Sequence, residues 1–348
     1  MNNRKRKFRY DRLLVLLLLL AISVYLIYSF VNLIVRAVDA ILDNEKNHAR
    51  IASIDDYDKL LPPDYEALST TEEEYIPLPL IYDDNSAQLG SKINSQYAIL
   101  YSVKDRKVLA RKGSQERMYP ASMTKVMTLI VAVEHINDLD DTITMTFEII
   151  NPLYLQNATV TGFKSGDVVT VKDLLYGIIL PSGADATVSI AEYVAGSEEA
   201  FVEMMNEKAV ELGLIDTHFT NTSGLHDDNH YTTAYDMAII LDYAIHDDLC
   251  RKILSTYHYT TTGTTEDTAT GIRKPIEFYS TMFNKVKSDH IEGMTICGGK
   301  TGYTAQSRHC LVSFAEKNGK TYIAVTGYGE TKYSPIYDMV TMYTDYTY

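Results

Sequence analysis

Ser122 and Lys125 lie three residues apart in the segment "YPASMTKVMT", at the edge of an apolar run. Val126, Met127, Leu129, Ile130, Val131 and Val133 follow, the content of a buried helix that begins just after Pro120. On a helix, positions i and i+3 share a face one turn apart, so the lysine amine approaches the serine hydroxyl in an apolar setting. A hydroxyl is a weak nucleophile and needs an adjacent base. Lysine can be that base only if its ammonium loses a proton near neutrality, which desolvation and a neighbouring cation both promote. The chemistry such a pair offers is nucleophilic attack by serine.

Two more segments line up behind it. Ser182-Gly183-Ala184 falls on a loop between predicted helices. Lys300-Thr301-Gly302 lies on a predicted inner strand, preceded by Gly298-Gly299. A lone Ser-x-x-Lys recurs often by chance. The ordered succession of Ser-x-x-Lys, a serine loop and Lys-Thr-Gly on a C-terminal strand is far more specific.

These residues need a scaffold. "YAILYSV" (Tyr97–Val103) and "KVLARKG" (Lys107–Gly113) flank Lys104-Asp105-Arg106 and read as a hairpin. The middle of the chain is helical. "TVKDLLYGIIL" starts with a Thr cap and has helical apolar spacing, and "ATVSIAEYVAG" and "EEAFVEMMNEKAVELGL" follow it. "MTICGGKTGYT" and "HCLVSFAEKNGKTYIAVTGYG" read as three strands, with Asn318-Gly319 as a hairpin turn. A last helix is predicted over Ser334–Tyr343. Strands at both ends with helices between predict an α/β (α+β) class, in which one antiparallel sheet built from both ends of the domain packs against helices beside a helical subdomain.

Composition bounds the function. The chain of 348 residues has a formal net charge of −14. Residues 1–12 carry Arg4, Lys5, Arg6, Lys7, Arg9 and Arg12 against Asp11, a net of +5, which taken from −14 leaves −19 for the rest. So acidic a body is a poor partner for nucleic acid. Leu13 to Val35 is a run of 23 uncharged residues, enough for a membrane helix. The basic cluster ahead of it predicts a cytoplasmic tail and an outward-facing remainder. The run exceeds the apolar core of a signal peptide, so an uncleaved anchor is favoured. Acidic residues, Pro62-Pro63 and "IPLPL" mark the next segment as an extended stalk. The predicted organisation is a basic tail (1–12), an anchor (13–35), a stalk (36–90) and a catalytic domain (91–348).

Other residues admit blander readings. The 3 cysteines, Cys250, Cys297 and Cys310, form no disulfide framework. Cys297 and Cys310 either face each other across a hairpin or are free buried thiols. His226 and His230 sit in a loop whose role is read as fixing or capping it rather than holding a metal. Arg308 and His309, just after the third segment, are placed at the cleft.

From about Ser91 to Tyr348 the chain resembles the serine D-alanyl-D-alanine carboxypeptidases, the low-molecular-weight penicillin-binding proteins that trim cell-wall peptides. Beyond the three motifs, "MNEKAVELGLIDTHFTNTSGL", "HYTTAYDMAIIL" and "GGKTGYTAQSRHCLVSFA" are similar to that family's segments. The resemblance implies a beta-lactamase/penicillin-binding transpeptidase-like fold, a peptidoglycan stem peptide ending in D-Ala-D-Ala as substrate, beta-lactams as ligands, and no metal or organic cofactor. It implies Ser122 as nucleophile, Lys125 as base and Ser182 as proton relay. Lys300 is implied as the cation that lowers the Lys125 pKa and, with Thr301, as the holder of the substrate carboxylate. Gly302 completes that motif, and the N–H groups of Ser122 and Tyr303 are the implied oxyanion donors. The family usually carries Ser-x-Asn in its second motif, where this chain has Ala184; adjacent Asp185 is an imperfect substitute of the wrong charge. That departure keeps open an alternative, a weakly catalytic or non-catalytic wall-sensing module on the same scaffold.

Overall fold

The chain divides into two units, Met1–Glu72 and Glu73–Tyr348. The computed structural model describes residues 75, 79–81, 86–286, 288–291 and 293–348, all in the second unit. The predicted tail, membrane anchor and most of the stalk lie outside the described residues.

The described unit opens with strands β1 (Ala87–Gln88), β2 (Tyr97–Ser102) and β3 (Lys107–Lys112). Its middle holds α1 (Lys125–His135), β4 (Thr142–Thr144), α2 (Phe147–Leu155), β5 (Val168–Thr170), α3 (Val171–Ile179) and α4 (Ala184–Ala195). Then come α5 (Glu198–Glu211), α6 (Ala234–Ala244), α7 (Asp248–Ser255), β6 (His258–Glu266) and β7 (Arg273–Tyr279). It closes with β8 (His290–Ile291), β9 (Met294–Thr304), β10 (Arg308–Lys317), β11 (Lys320–Gly329) and α8 (Ser334–Tyr346).

Among the described residues the main sheet has seven strands in the order β1-β3-β2-β11-β10-β9-β8. Every pair in it is antiparallel except β1 with β3. The two ends of the unit therefore share one sheet, joined where β11 pairs with β2. Alternation along each strand divides its side chains between two faces. Ile99, Tyr101, Val312, Phe314, Ile323 and Val325 join the larger core with the helices. Ala98, Leu100, Leu311 and Ala324 pack instead with Ile336, Met339 and Met342 of α8.

The helix α1 is buried from Lys125 to Ala132. Apolar residues all round it are what a central helix needs, since every side meets protein. The predicted Thr cap is Thr170, which forms a reciprocal capping box with Asp173 at the start of α3. The two-stranded ribbons β4–β5 and β6–β7 were not legible in their threonine-rich sequences, because alternating threonines fit a strand and an exposed loop alike.

The folded unit takes up the last part of the acidic segment as well. Tyr75 donates to Asp242 at 3.2 Å, the Leu80 N–H donates to the Tyr235 hydroxyl at 3.0 Å, and Ile81 bridges to Lys107. The cysteines are free. Cys310 faces Gly302 across the β9–β10 ladder, and Cys297 sits beside a register shift between Phe314 and Ala315. Cys297 lies five strand positions, about 16 Å, from the residue opposite Cys310, more than twice what a disulfide can span.

Candidate active site

Ser122 does not sit in the α-helix proper. Residues Ala121–Thr124 form a 3-10 turn that feeds α1, and Lys125 is the first α-helical residue. In a 3-10 turn side chains at i and i+3 eclipse, so the tighter winding brings this pair together better than an α-turn does. Lys125 Nζ lies 3.3 Å from Ser122 Oγ and donates to the Ser223 carbonyl at 2.6 Å.

Burial pushes the Lys125 pKa down to about 7, against the opposing pull of the acidic Asp185 and Glu198. Of the two causes expected from the sequence, desolvation and a neighbouring cation, burial is the one that lowers it; the neighbouring charges that act on it, Asp185 and Glu198, raise it. At neutral pH a large share of Lys125 is thus the free amine. Its two hydrogens and one lone pair suit donation to Ser223 and acceptance from the Ser122 hydroxyl.

The loop Asn221–Leu225 presses onto this turn. The Asn221 side chain accepts from the Gly224 N–H at 2.7 Å and the Ser223 N–H at 3.2 Å, and donates to the Leu225 carbonyl at 2.9 Å. Gly224 has φ +81°, and a Cβ there would stand 1.9 Å from the Ala121 carbonyl oxygen and 2.9 Å from the Ser122 nitrogen. Only glycine fits both the angle and the space. From the other side, a Cβ on Gly302 of β9 would come within 2.9 Å of the Pro120 oxygen and 3.0 Å of the Ser122 nitrogen. The turn is clamped between loop and strand.

Ser182 adopts φ +68°, an uncommon angle for a residue with a side chain. Its Oγ accepts from Lys300 Nζ at 2.9 Å, which also donates to the Thr301 carbonyl at 2.9 Å. Lys300 is fully buried. Burial, then the charges of Lys125 and Lys285, push its pKa well down. Thr301 Oγ1 lies 3.0 Å from Thr281 Oγ1, and Tyr303 is 60% exposed.

Ser122, Lys125, Ser182, Ala184 and Tyr303 line one open cleft, together with Asn157 and Ser223. Lys300 reaches that cleft through Ser182, and Gly302 abuts Ser122. Arg308 and His309 are not among the lining residues. Arg308 covers the Tyr328 ring at 4.5 Å, and His309 stacks on Tyr303 at 4.4 Å.

The amino-acid profile of the family described as D-alanyl-D-alanine carboxypeptidase matches residues 83–329, including the turn, the serine loop and the third-motif strand. The chain belongs to the D-alanyl-D-alanine carboxypeptidase family. It is 34% identical to the D-alanyl-D-alanine carboxypeptidase DacF of Bacillus subtilis over 66% of this chain and 56% of that one. It is 33% identical to DacC of Escherichia coli over 67% of this chain and 56% of that one. The chain thus matches little more than half the length of these curated relatives. The crystal structure of the Streptomyces K15 DD-transpeptidase, 27% identical, superposes with a TM-score of 0.66 over 72% of this chain and 96% of that one.

Position 184, where the family resemblance leads one to expect an asparagine, is alanine, and Asp185 does not stand in for that carboxamide. Its carboxylate turns away, accepting from the Thr161 N–H at 2.9 Å and the Thr161 hydroxyl at 2.5 Å. His230 is buried, with its pKa pushed down to about 3, burial being the main cause. Its Nδ1 accepts from the Thr220 N–H at 3.1 Å, so its Nε2 carries the proton toward Thr124 Oγ1 at 2.8 Å. That bond ties the loop to the Ala121–Thr124 turn. Among the described residues, no cluster of His, Cys, Asp or Glu is arranged to hold a metal.

Sequence reasoning missed Ser223, Gly224 and Asn221 as parts of the site. The signal was available in "NTSGL", where a glycine follows polar residues that can fold onto their own backbone. What the string does not contain is the neighbour, Ala121, a hundred residues earlier in the chain.

Proposed function

We propose that this chain is a serine D-alanyl-D-alanine carboxypeptidase, anchored in the membrane by residues 13–35, with its basic tail inside and its catalytic unit outside the cell. The observation that carries the reading is the Ser122 hydroxyl 3.3 Å from a buried Lys125 amine whose pKa is pushed down to about 7.

The Ser122 proton passes to the Lys125 amine as Oγ bonds the carbonyl carbon of the penultimate D-Ala. The N–H groups of Ser122 and Tyr303 hold the developing oxyanion. The C–N bond then breaks, and the amine of the last D-Ala leaves with a proton delivered through Ser182. Water cleaves the ester and restores Ser122. Lys300 and Thr301 bind the terminal carboxylate, an anion that favours the charged form of Lys300. A beta-lactam follows the first half of this path and stalls as the acyl-enzyme.

The test is release of D-Ala from a pentapeptide ending in D-Ala-D-Ala by the full chain in detergent, beside Ser122→Ala. Release by the parent alone is expected. Ala184, which lacks the usual carboxamide, favours the alternative of a wall-sensing module; labelling by penicillin with no D-Ala release from either form would select it.

A further inference from the structure

The cleft has alanine at position 184, where the family resemblance leads one to expect a carboxamide, and it holds a carboxamide elsewhere. Among the described residues lining it, Asn157 alone has a carboxamide side chain. It stands on the same wall as Ala184: the Ala184 N–H donates to the Thr159 carbonyl at 2.7 Å, two residues past Asn157. Ala158 and Ala184 also share a small apolar cluster with Ile149 and Leu153 of α2.

The backbone at Asn157 is fixed without help from its side chain. Asn157 is the left-handed residue that ends α2, with φ +54°. Its N–H donates to the Tyr154 carbonyl at 3.0 Å, and the next N–H, of Ala158, donates to the Leu153 carbonyl at 2.9 Å. That pair of bonds is the Schellman ending, whose left-handed position is usually glycine and sometimes asparagine. Helix ending alone would be served at least as well by glycine, so the carboxamide is surplus to it. A carboxamide offers both a donor and an acceptor, the complement of a peptide bond.

We propose that Asn157 is a substrate-binding residue that supplies, from the end of α2, the peptide-pairing carboxamide absent at Ala184. The proposal rests on the carboxypeptidase reading above.

The two roles of Asn157 separate cleanly in Asn157→Gly, which keeps the left-handed ending and removes the carboxamide. In the full chain, this variant should keep its melting temperature while kcat/KM on a D-Ala-D-Ala pentapeptide falls about fivefold, the loss typical of one hydrogen bond. Most of the fall should lie in KM, because the contact exists before and after attack. Asn157→Asp, which keeps the acceptor and tolerates the same backbone, should fall as far. Restoring the family residue, Ala184→Asn, should rescue the Asn157→Gly variant while adding little to the parent. Unchanged kcat/KM in Asn157→Gly beside an active parent overturns this proposal alone. A parent that releases no D-Ala overturns the carboxypeptidase reading and this proposal with it.

Discussion

Gly224 and Ala121 touch so closely that the missing Cβ of one would stand 1.9 Å from the carbonyl oxygen of the other. The contact fixes the backbone on which Ser122 rides. Gly224→Ala should move that turn, and a misplaced nucleophile can cost about a hundredfold in rate. Acylation by a fluorescent penicillin should therefore slow by about that factor. Near-normal acylation in a folded Gly224→Ala protein would show that the clamp is dispensable.

The Lys125 pKa sets the sign of a pH effect. With a value of about 7, its free-amine fraction rises about tenfold from pH 6 to pH 8, and the acylation rate should rise with it. A flat profile across that range would rule out Lys125 as the base.

Stability runs in the same direction for the same residue. The folded state binds fewer protons at Lys125 than the unfolded chain between about pH 7 and 10.5, so its contribution becomes more favourable as pH rises through that window. Lys125→Met removes a costly buried amine together with its two hydrogen bonds, to Ser122 and to the Ser223 carbonyl. It should abolish acylation while leaving the melting temperature at pH 7 within a few degrees of the parent. Collapse of the fold would assign Lys125 to structure instead.

Ser182 combines strain with a polar contact. At φ +68° a side chain costs on the order of 1 kcal/mol, so Ser182→Gly should be more stable than Ser182→Ala by about that amount. Both lose the acceptor for Lys300 and should lose turnover equally. Thermal melts and D-Ala release on the two variants check this. Full turnover in either one would remove Ser182 from the proton path.

Six basic residues ahead of an uncharged run of 23 predict an uncleaved anchor with its N-terminus inside. Protease added to intact cells should free a soluble, active fragment by cutting within residues 36–72. Recovery of a mature N-terminus near Ile41 would show cleavage in place of anchoring.

The sequence by itself determined the class of the fold and the order of the candidate site residues along the chain. The candidate site residues Ser122, Lys125, Ser182 and Lys300 stand out through the order of their motifs and the family resemblance those carry, while local rules place them on elements: helical spacing for the first pair, alternation and a turn signal for the strands. Those rules reach only a few residues, which is why the 3-10 turn at Ala121–Thr124 looked like the start of an α-helix. Contacts between distant parts of the chain were decided by the tertiary structure. It placed the Ser223 carbonyl on Lys125 across 98 residues, and Lys300 on Ser182 across 118. It turned Asp185 toward Thr161 and separated Cys297 from Cys310 along the ladder. It also set the Lys125 pKa, because desolvation depends on how many atoms from elsewhere in the chain surround the amine, and no pattern in the neighbouring residues records that.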